Sequence, residues 1–246
     1  MEKDYKKLLN EEIERIKPFY DKVVERSKTS NNLMDSAYRH EGRTVIGRLT
    51  QAQELMKLKG ESDFANELIK HAYEIELPHL KNLEEMVQMG DLTKEKIQTG
   101  KTNFYELIER QQNIHKEYLN SKNIQYNNFG NKNETDFNEG VAATLISMHY
   151  GNSVKWAKEN SKINVKIKKT RYTKKKKHHI NYQIQLENEF GETPLNPGIG
   201  ENEGIGTLFT NTILKTIKGK VEYYNEAELS NTKNPVYGIK LTLPIK

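Results

Sequence analysis

The stretch Leu145-Ile146-Ser147-Met148-His149-Tyr150-Gly151-Asn152-Ser153-Val154-Lys155-Trp156-Ala157 stands in the second half of a 246-residue chain. It reads as the body of a helix running over Val141–Lys158. After it the pattern changes period. Ile163-Asn164-Val165-Lys166-Ile167 alternates apolar and polar, as a half-buried strand does. Ile180-Asn181-Tyr182-Gln183-Ile184-Gln185-Leu186 repeats the alternation beyond a basic turn, so the two predict a hairpin with Lys174–His179 at its tip. A Gly- and Pro-rich loop, Gly191–Gly206, leads into a helix of about Thr207–Lys218. Lys220–Tyr224 and Tyr237–Leu243 follow as a last pair of strands. Upstream, Phe104–Leu119 has helical periodicity, and the Asn-rich Asn120–Asn133 holds only the short apolar-polar stretch Ile124-Gln125-Tyr126. Residues 100–246 therefore read as mixed α and β.

Residues 1–99 have a different character. Glu, Lys, Leu, Met and Gln dominate, and all favour helix. Residues 21–59 predict one long helix with a seam of Leu33, Ala37, Ile46, Leu49 and Met56. Gly42 and Gly47 weaken it by about 1 kcal/mol each relative to Ala. Lys59-Gly60-Glu61-Ser62 is a stop and restart, with Gly60 suited to a helix end and Ser62 or Asp63 to the next N-cap. Phe64, Leu68, Ala72 and Ile75 follow at i, i+4, i+8 and i+11. Pro78 bends or restarts that helix, and Leu80, Leu83 and Val87 continue its apolar face. The expectation is an antiparallel helical hairpin. A lone hairpin exposes an apolar stripe. A second copy completes a four-helix bundle with Leu49, Met56, Phe64 and Leu68 near the turn. The fold class predicted is a dimeric helical bundle over 1–99 followed by an α/β sandwich over 100–246.

Composition narrows the function. Hydrophobic residues make up 35% and charged residues 30%, but 39 basic against 34 acidic leaves a net charge of only +5. Disorder needs low hydrophobicity together with high net charge, so a folded protein is expected. The absence of cysteine excludes a disulfide scaffold, a Cys-ligated zinc site and a thiol nucleophile. No apolar run reaches the roughly 20 residues that span a bilayer, and the first residues lack the apolar core of a signal peptide. A cytoplasmic protein is expected.

His40-Glu41-Gly42-Arg43-Thr44-Val45-Ile46 lies inside the first predicted helix. A neutral imidazole is a good nucleophile toward phosphorus near pH 7. Glu41 beside it can accept the proton released or orient the ring, and Thr44 shares its helical face. The stretch resembles the phosphoacceptor box of two-component histidine kinases, commonly His-Glu-Leu-Arg-Thr-Pro-Leu. His, Glu, Arg and Thr match in register, while Gly42 replaces Leu and Val45 replaces Pro. The resemblance implies that His40 is the acceptor, that Glu41 is its base, and that Thr44 positions water when a partner is dephosphorylated.

The second half resembles the ATP-binding domain of histidine kinases and gyrase-type ATPases, and the order of elements matches nearly end to end. Leu145–Ala157 resembles the family's Asn-bearing helix, whose asparagines hold Mg²⁺ and phosphate. Asn152 keeps the second of them, and Lys155 and Trp156 hold the following positions. Met148 replaces the first with a thioether, which suits Mg²⁺ poorly. Leu186-Glu187-Asn188-Glu189-Phe190-Gly191 occupies the adenine loop, with Glu187 read in place of the adenine-reading Asp and Gly191 retained. Gly204-Ile205-Gly206-Thr207, with Gly198 and Gly200 upstream, resembles the glycine box that lets backbone N–H groups approach phosphates. The closing Leu243-Pro244 matches the family's last strand.

The resemblance implies a histidine-kinase-like protein that uses ATP and Mg²⁺ and passes phosphoryl from His40 to an aspartate of a response-regulator receiver. A homodimer is expected, with an upstream sensor protein supplying the signal. Two alternatives stay open, a phosphotransfer protein that never uses ATP and a non-enzymatic scaffold. Lys174–Lys177 reads as a solvated loop, so no nucleic-acid partner is expected.

Overall fold

The computed structural model describes residues 5–28, 32–59, 63–174, 177–190 and 205–245. The chain forms two compact units, Met1–Gly90 and Asp91–Lys246.

The first unit is helical. α1 (Tyr5–Ser27) precedes α2 (Leu33–Lys59), then come α3 (Asp63–His71) and α4 (Leu77–Met89), joined by a π-helical turn over Ala72–Glu76. The long helix predicted over 21–59 is in fact two. The missed signal is Asn32, whose side chain accepts the Met34 N–H at 2.8 Å and so starts a new helix. Pro78 sits in the first turn of α4, where its missing N–H costs least. The π-turn ahead of it absorbs the extra residue.

α1 is the element the hairpin reading lacked. Leu9, Ile16 and Val23, seven apart, are all at most 1% exposed. They form a stripe that packs within the unit, with α1 touching both α2 and α3. Asn10 accepts from Gln53 Nε2 at 2.6 Å, and Arg15 reaches Glu84 on α4 at 3.8 Å. The rings of Phe19 and Tyr38 meet edge to face at 5.1 Å. Val45, Leu49 and Ala52 of α2 are at most 1% exposed and Met56 is 9% exposed. Leu68 is half-buried, and the side chains of Leu33 and Phe64 lie outside the described residues. Of the seam set aside for a second copy, Ala37, Leu49 and Met56 are thus covered inside one chain, while Ile46 and Leu68 stay half-buried.

The second unit begins at Asp91 and not near residue 99. α5 (Lys94–Ile97) belongs to it, because the Asn138 N–H donates to Ile97 O at 2.7 Å and Gln98 Nε2 donates to Pro244 O at 2.6 Å. α6 (Phe104–Ile114) and α7 (Lys116–Ser121) divide the predicted helix at His115. β1 (Gln125–Gly130), α8 (Glu139–Trp156), β2 (Lys162–Lys174), β3 (Lys177–Glu189), α9 (Ile205–Ile217), β4 (Lys220–Tyr224) and β5 (Val236–Ile245) complete it. Asn138 caps α8 by accepting the Val141 N–H at 3.0 Å.

The sheet has the order β1-β2-β3-β5-β4, with β1 parallel to β2 and the other pairs antiparallel. Apolar residues at alternate positions, Ile163, Val165, Ile167, Tyr182, Ile184, Leu186, Ile239, Leu241 and Leu243, are buried. α6, α8 and α9 pack on that face, so the unit is a two-layer sandwich. Among the described residues no helix is long and apolar enough to cross a membrane.

Candidate functional site

His40 lies on the outer side of α2. Its side chain is 62% exposed, and Nδ1 stands 3.3 Å from Glu41 Oε1. Thr44 Oγ1 donates to His40 O at 3.2 Å, so the hydroxyl is tied to the helix backbone one turn from the ring. The buried face of α2, with Tyr38, Val45 and Leu49, fixes this orientation. α4 brings His79 toward Glu41, and burial holds that imidazole below its ordinary range against the pull of the carboxylate. Further along, Arg48 pairs with Glu76 and donates to His71 Nδ1 at 2.6 Å. Burial, and then the neighbouring Arg48 cation, both lower the His71 pKa.

In the second unit α8 carries Asn152 and Lys155, both exposed. Lys155 Nζ lies 4.5 Å from the centre of the Trp156 ring. Gly206, in the first turn of α9, faces Met148, since a Cβ there would be 3.8 Å from Met148 Sδ. The two helices expected to flank a phosphate therefore meet at the thioether. Gly191, Gly198, Gly200 and Gly204 lie outside the described residues.

Glu187 does not hold the position read for it. It is fully buried, and its carboxylate accepts four bonds from one loop. Oε2 takes the N–H groups of Glu228 and Leu229 at 2.6 and 3.0 Å, and Oε1 takes the Ser230 N–H and hydroxyl at 2.8 and 2.7 Å. The reason is the pleat. Side chains alternate across a strand, so Glu187 points to the face away from Ile184 and Leu186's neighbours on the helical layer. Its cross-strand partner is Gly238, and Tyr224 fills the space above that glycine, 2.1 Å from where its Cβ would stand. Glu189 shares that outer face and accepts from Asn234 Nδ2 at 2.6 Å.

Asn188 is the residue on the helical side. It pairs with Tyr237 across β5, and the Tyr237 hydroxyl lies 3.4 Å from His149 Nδ1 on α8. Asn188 is fully buried, its Nδ2 donates to Glu189 O at 3.1 Å, and its Oδ1 has no partner among the described residues. Ser153, one turn beyond His149 on α8, is likewise buried with a hydroxyl lacking a partner. Alternation carried on from Ile184 and Leu186 reaches Asn188, so the sequence held this signal.

His149 is fully buried, and desolvation lowers its pKa to about 4. The Thr210 hydroxyl donates to Gly206 O at 2.8 Å. His149 Nε2–H therefore donates to Thr210 Oγ1 at 2.8 Å, and Nδ1 accepts from Tyr237. This chain runs from β5 through α8 to the first turn of α9, and nothing in the sequence marks it.

Comparison with known proteins finds no matching family model and no matching curated protein. Solved structures do match. The Acinetobacter baumannii histidine kinase AdeS is 12% identical, with a TM-score of 0.51 over 84% of this chain and 98% of that one. The catalytic domain of histidine kinase ThkA is 17% identical, with a TM-score of 0.46 over 59% of this chain and 96% of that one. A histidine kinase domain from a blue-light activated histidine kinase of Erythrobacter litoralis is 9% identical, with a TM-score of 0.43 over 94% of both chains. The chain has a histidine-kinase-type fold, a helical unit followed by a mixed α/β unit.

Proposed function

We propose that the protein is a phosphotransferase of the two-component type, in which His40 carries the phosphoryl group and an aspartate of a receiver domain takes it. The observation that carries this reading is the pairing of an exposed imidazole with a neighbouring carboxylate on the outer side of a helix whose opposite face is buried. With Nδ1–H turned to Glu41, the lone pair is on Nε2. As Nε2 gains a phosphoryl group the ring becomes cationic, and Glu41 accepts the proton from Nδ1. Exposure lets a second domain or protein reach the nitrogen.

ATP is the phosphoryl donor in the first form of this reading. Asn188 Oδ1 and Ser153 Oγ, buried and without a partner among the described residues, are polar groups of the kind a bound base satisfies. Asn152 supplies one oxygen toward Mg²⁺, with Lys155 and Gly206 nearby on the same helix pair. Mg²⁺ sites of this class take one or two protein oxygens and complete the shell with phosphate and water. Met148 adds none, which favours the second form, in which His40 receives phosphoryl from a receiver and ATP plays no part.

A homodimer fits the same reading only if the seam is bare. With α1 in place the chain already buries Leu49, Ala52 and Val45 itself, so α1 governs pairing with a second copy.

The test is acid-labile, base-stable label on the protein, offered either ATP or phosphorylated receivers, with His40→Gln as control. Label from ATP that vanishes in the variant supports the kinase form, and label from receivers alone supports phosphotransfer. No label from either source, across several receivers, overturns both.

A further inference from the structure

Four large apolar or aromatic side chains stand exposed among the described residues, and three of them lie at one edge of the sheet. Tyr118 is on α7, Tyr126 and Phe129 are on β1, and the fourth is Leu208. From Asn123 to Asn131 the chain has no charged residue, in a protein that is 30% charged. β1 is an outermost strand, with β2 on one side and no strand on the other. Proteins usually guard such an edge with charge, and the opposite edge of this sheet is guarded in that way. There β4 carries Lys220 and Glu222, paired at 2.8 Å.

The register of β1 fixes which backbone groups its edge offers. The Gln125 N–H donates to Ser161 O at 3.0 Å, on the β2 side. The preceding Ile124 N–H goes the other way, to Leu119 O at 2.8 Å. Backbone groups alternate in direction along a strand, so Gln125, Asn127 and Phe129 bond toward β2. Tyr126 and Asn128 turn outward, each with an N–H and a C=O, at the two-residue repeat of a strand ladder.

The two faces beside that edge differ in chemistry. On the helical face Asn128 is tied to Gln112 of α6 at 2.9 Å, and Tyr126 stands open. On the other face Phe129 is exposed, with Lys166 of β2 opposite it. Lys166 is exposed and makes no ion pair among the described residues, and its neighbour on β3 is Gln185. Residues 91–246 carry 24 Lys and Arg against 17 Asp and Glu, a net +7, while residues 1–90 carry 15 against 17. A cleft of about 530 Å³, lined by Asn120, Asn123, Ile124, Gln125, Tyr126 and Asn127, opens where the strand begins.

We propose that β1 is a docking edge for an extended, acidic segment of a partner protein, which joins the sheet as a sixth strand. Main-chain bonds to Tyr126 and Asn128 supply the pairing, and side chains at alternate positions select the partner. Apolar residues of the added strand lie beside Tyr126. Its carboxylates lie on the face of Phe129 and Lys166. Neighbouring strands are about 4.8 Å apart, so the added strand runs about 10 Å from β2, a gap that Lys and Glu side chains close together. A second copy of this chain fits less well, because β1 paired with itself brings two Lys166 cations to the joint and no carboxylate. This inference stands independently of phosphoryl transfer.

The probe is the blocked peptide Val-Glu-Val-Glu-Phe-Glu-Val-Glu, titrated into the isotope-labelled full chain and followed by amide resonances. Binding is expected at a Kd of about 100 μM in low salt, with the amides of Tyr126 and Asn128 shifting and those of β4 unmoved. N-methylation at the central Glu or at the adjacent Phe should differ in effect, because only every second N–H of an added strand faces β1. One should weaken binding at least about ten-fold and the other less than about two-fold. The peptide with Lys in place of every Glu should bind at least about ten-fold more weakly. Asn128→Pro removes one outward N–H and leaves the β1–β2 ladder intact, so it should weaken binding about ten-fold. Lys166→Gln should weaken it about three-fold, and Lys220→Gln should not change it. Circular dichroism checks the variants, and if Asn128→Pro does not fold, the resonance shifts and the N-methyl pair decide on the parent chain. No binding at about 1 mM peptide, equal effects of the two N-methyl groups, or equal binding of the Lys peptide overturns the proposal. So does parent-like binding by a folded Asn128→Pro, or self-association of the full chain that shifts the β1 amides without peptide.

Discussion

The ring of Tyr20 on α1 occupies the space of a side chain at Gly42 on α2. A Cβ added at Gly42 would lie 2.7 Å from Tyr20 Cδ2 and 3.7 Å from Leu80 Cδ1. Where the histidine-kinase box carries Leu, this chain carries the residue that lets α1 close on α2, two positions from His40. The glycine that weakens the helix in isolation is what allows α1 to dock.

Gly42→Leu should therefore destabilise the protein. Overpacking of this kind costs about 1–3 kcal/mol, and the gain in helix propensity returns about 1. Tyr20→Ala in the same chain should recover most of the loss. Urea midpoints of the two single variants and the double variant measure the coupling. Additive effects would mean that Tyr20 and Gly42 do not share the space.

Removing α1 should change the oligomeric state. Without residues 1–28 the apolar side of α2 loses its cover, and a second copy is the nearest substitute. Sedimentation of the full chain at micromolar concentration should give about the 28.7 kDa of one chain, and the truncated chain about twice its own mass. A full-length dimer would mean that pairing uses another face.

Periodicity alone carried much of the second unit. The helix at Leu145–Ala157, the β2–β3 hairpin and the closing strand all follow from alternation or a 3.6-residue repeat, because one face of each is buried. β1 was legible only as a fragment, since its Asn127 and Asn128 are half-buried polar residues bonded to Asn164 and Gln112. α1 was missed as a partner of the hairpin because its Leu9, Ile16 and Val23 stripe says only that something covers it, and not what. Glu187 was misassigned by matching a motif letter by letter, where the pleat assigns Asn188 to the helical face.

Those two neighbours should separate cleanly by mutation. Glu187→Ala removes the acceptor for three backbone N–H groups of residues 228–230 and should cost about 2–4 kcal/mol, since each buried group left unpaired costs about 1–3. Asn188→Leu removes a buried oxygen that has no partner and should leave stability unchanged or raised. On the nucleotide reading, binding of a labelled ATP analogue should fall at least ten-fold in Asn188→Leu. Equal binding in that variant and the parent would exclude Asn188 from the site.

His149 makes stability depend on pH with a definite sign. Its pKa in the folded protein is about 4 against 6.5 for the free side chain, so between those values the unfolded chain binds more protons. Stability then rises with pH through that window. The contribution is intact above about pH 6.5 and is lost as pH falls toward 4. A shift of this size corresponds to about 3 kcal/mol at most. Protonation also places a second N–H against Tyr237, whose hydroxyl donates to Nδ1 in the neutral form. His71 and His79 are lowered too, so the whole-protein slope is not His149's alone. The difference between the parent and His149→Gln isolates it. Urea unfolding at pH 7 and at pH 5 should show the parent losing more stability than the variant, by about 1.5–2 kcal/mol. The relay through Thr210 to Gly206 adds a second readout, because loss of the imidazole should loosen the first turn of α9 and speed amide exchange there at pH 7. Equal pH slopes in the two proteins would mean that His149 binds its proton in the folded protein as it does in the unfolded chain, so that burial does not disfavour the imidazolium.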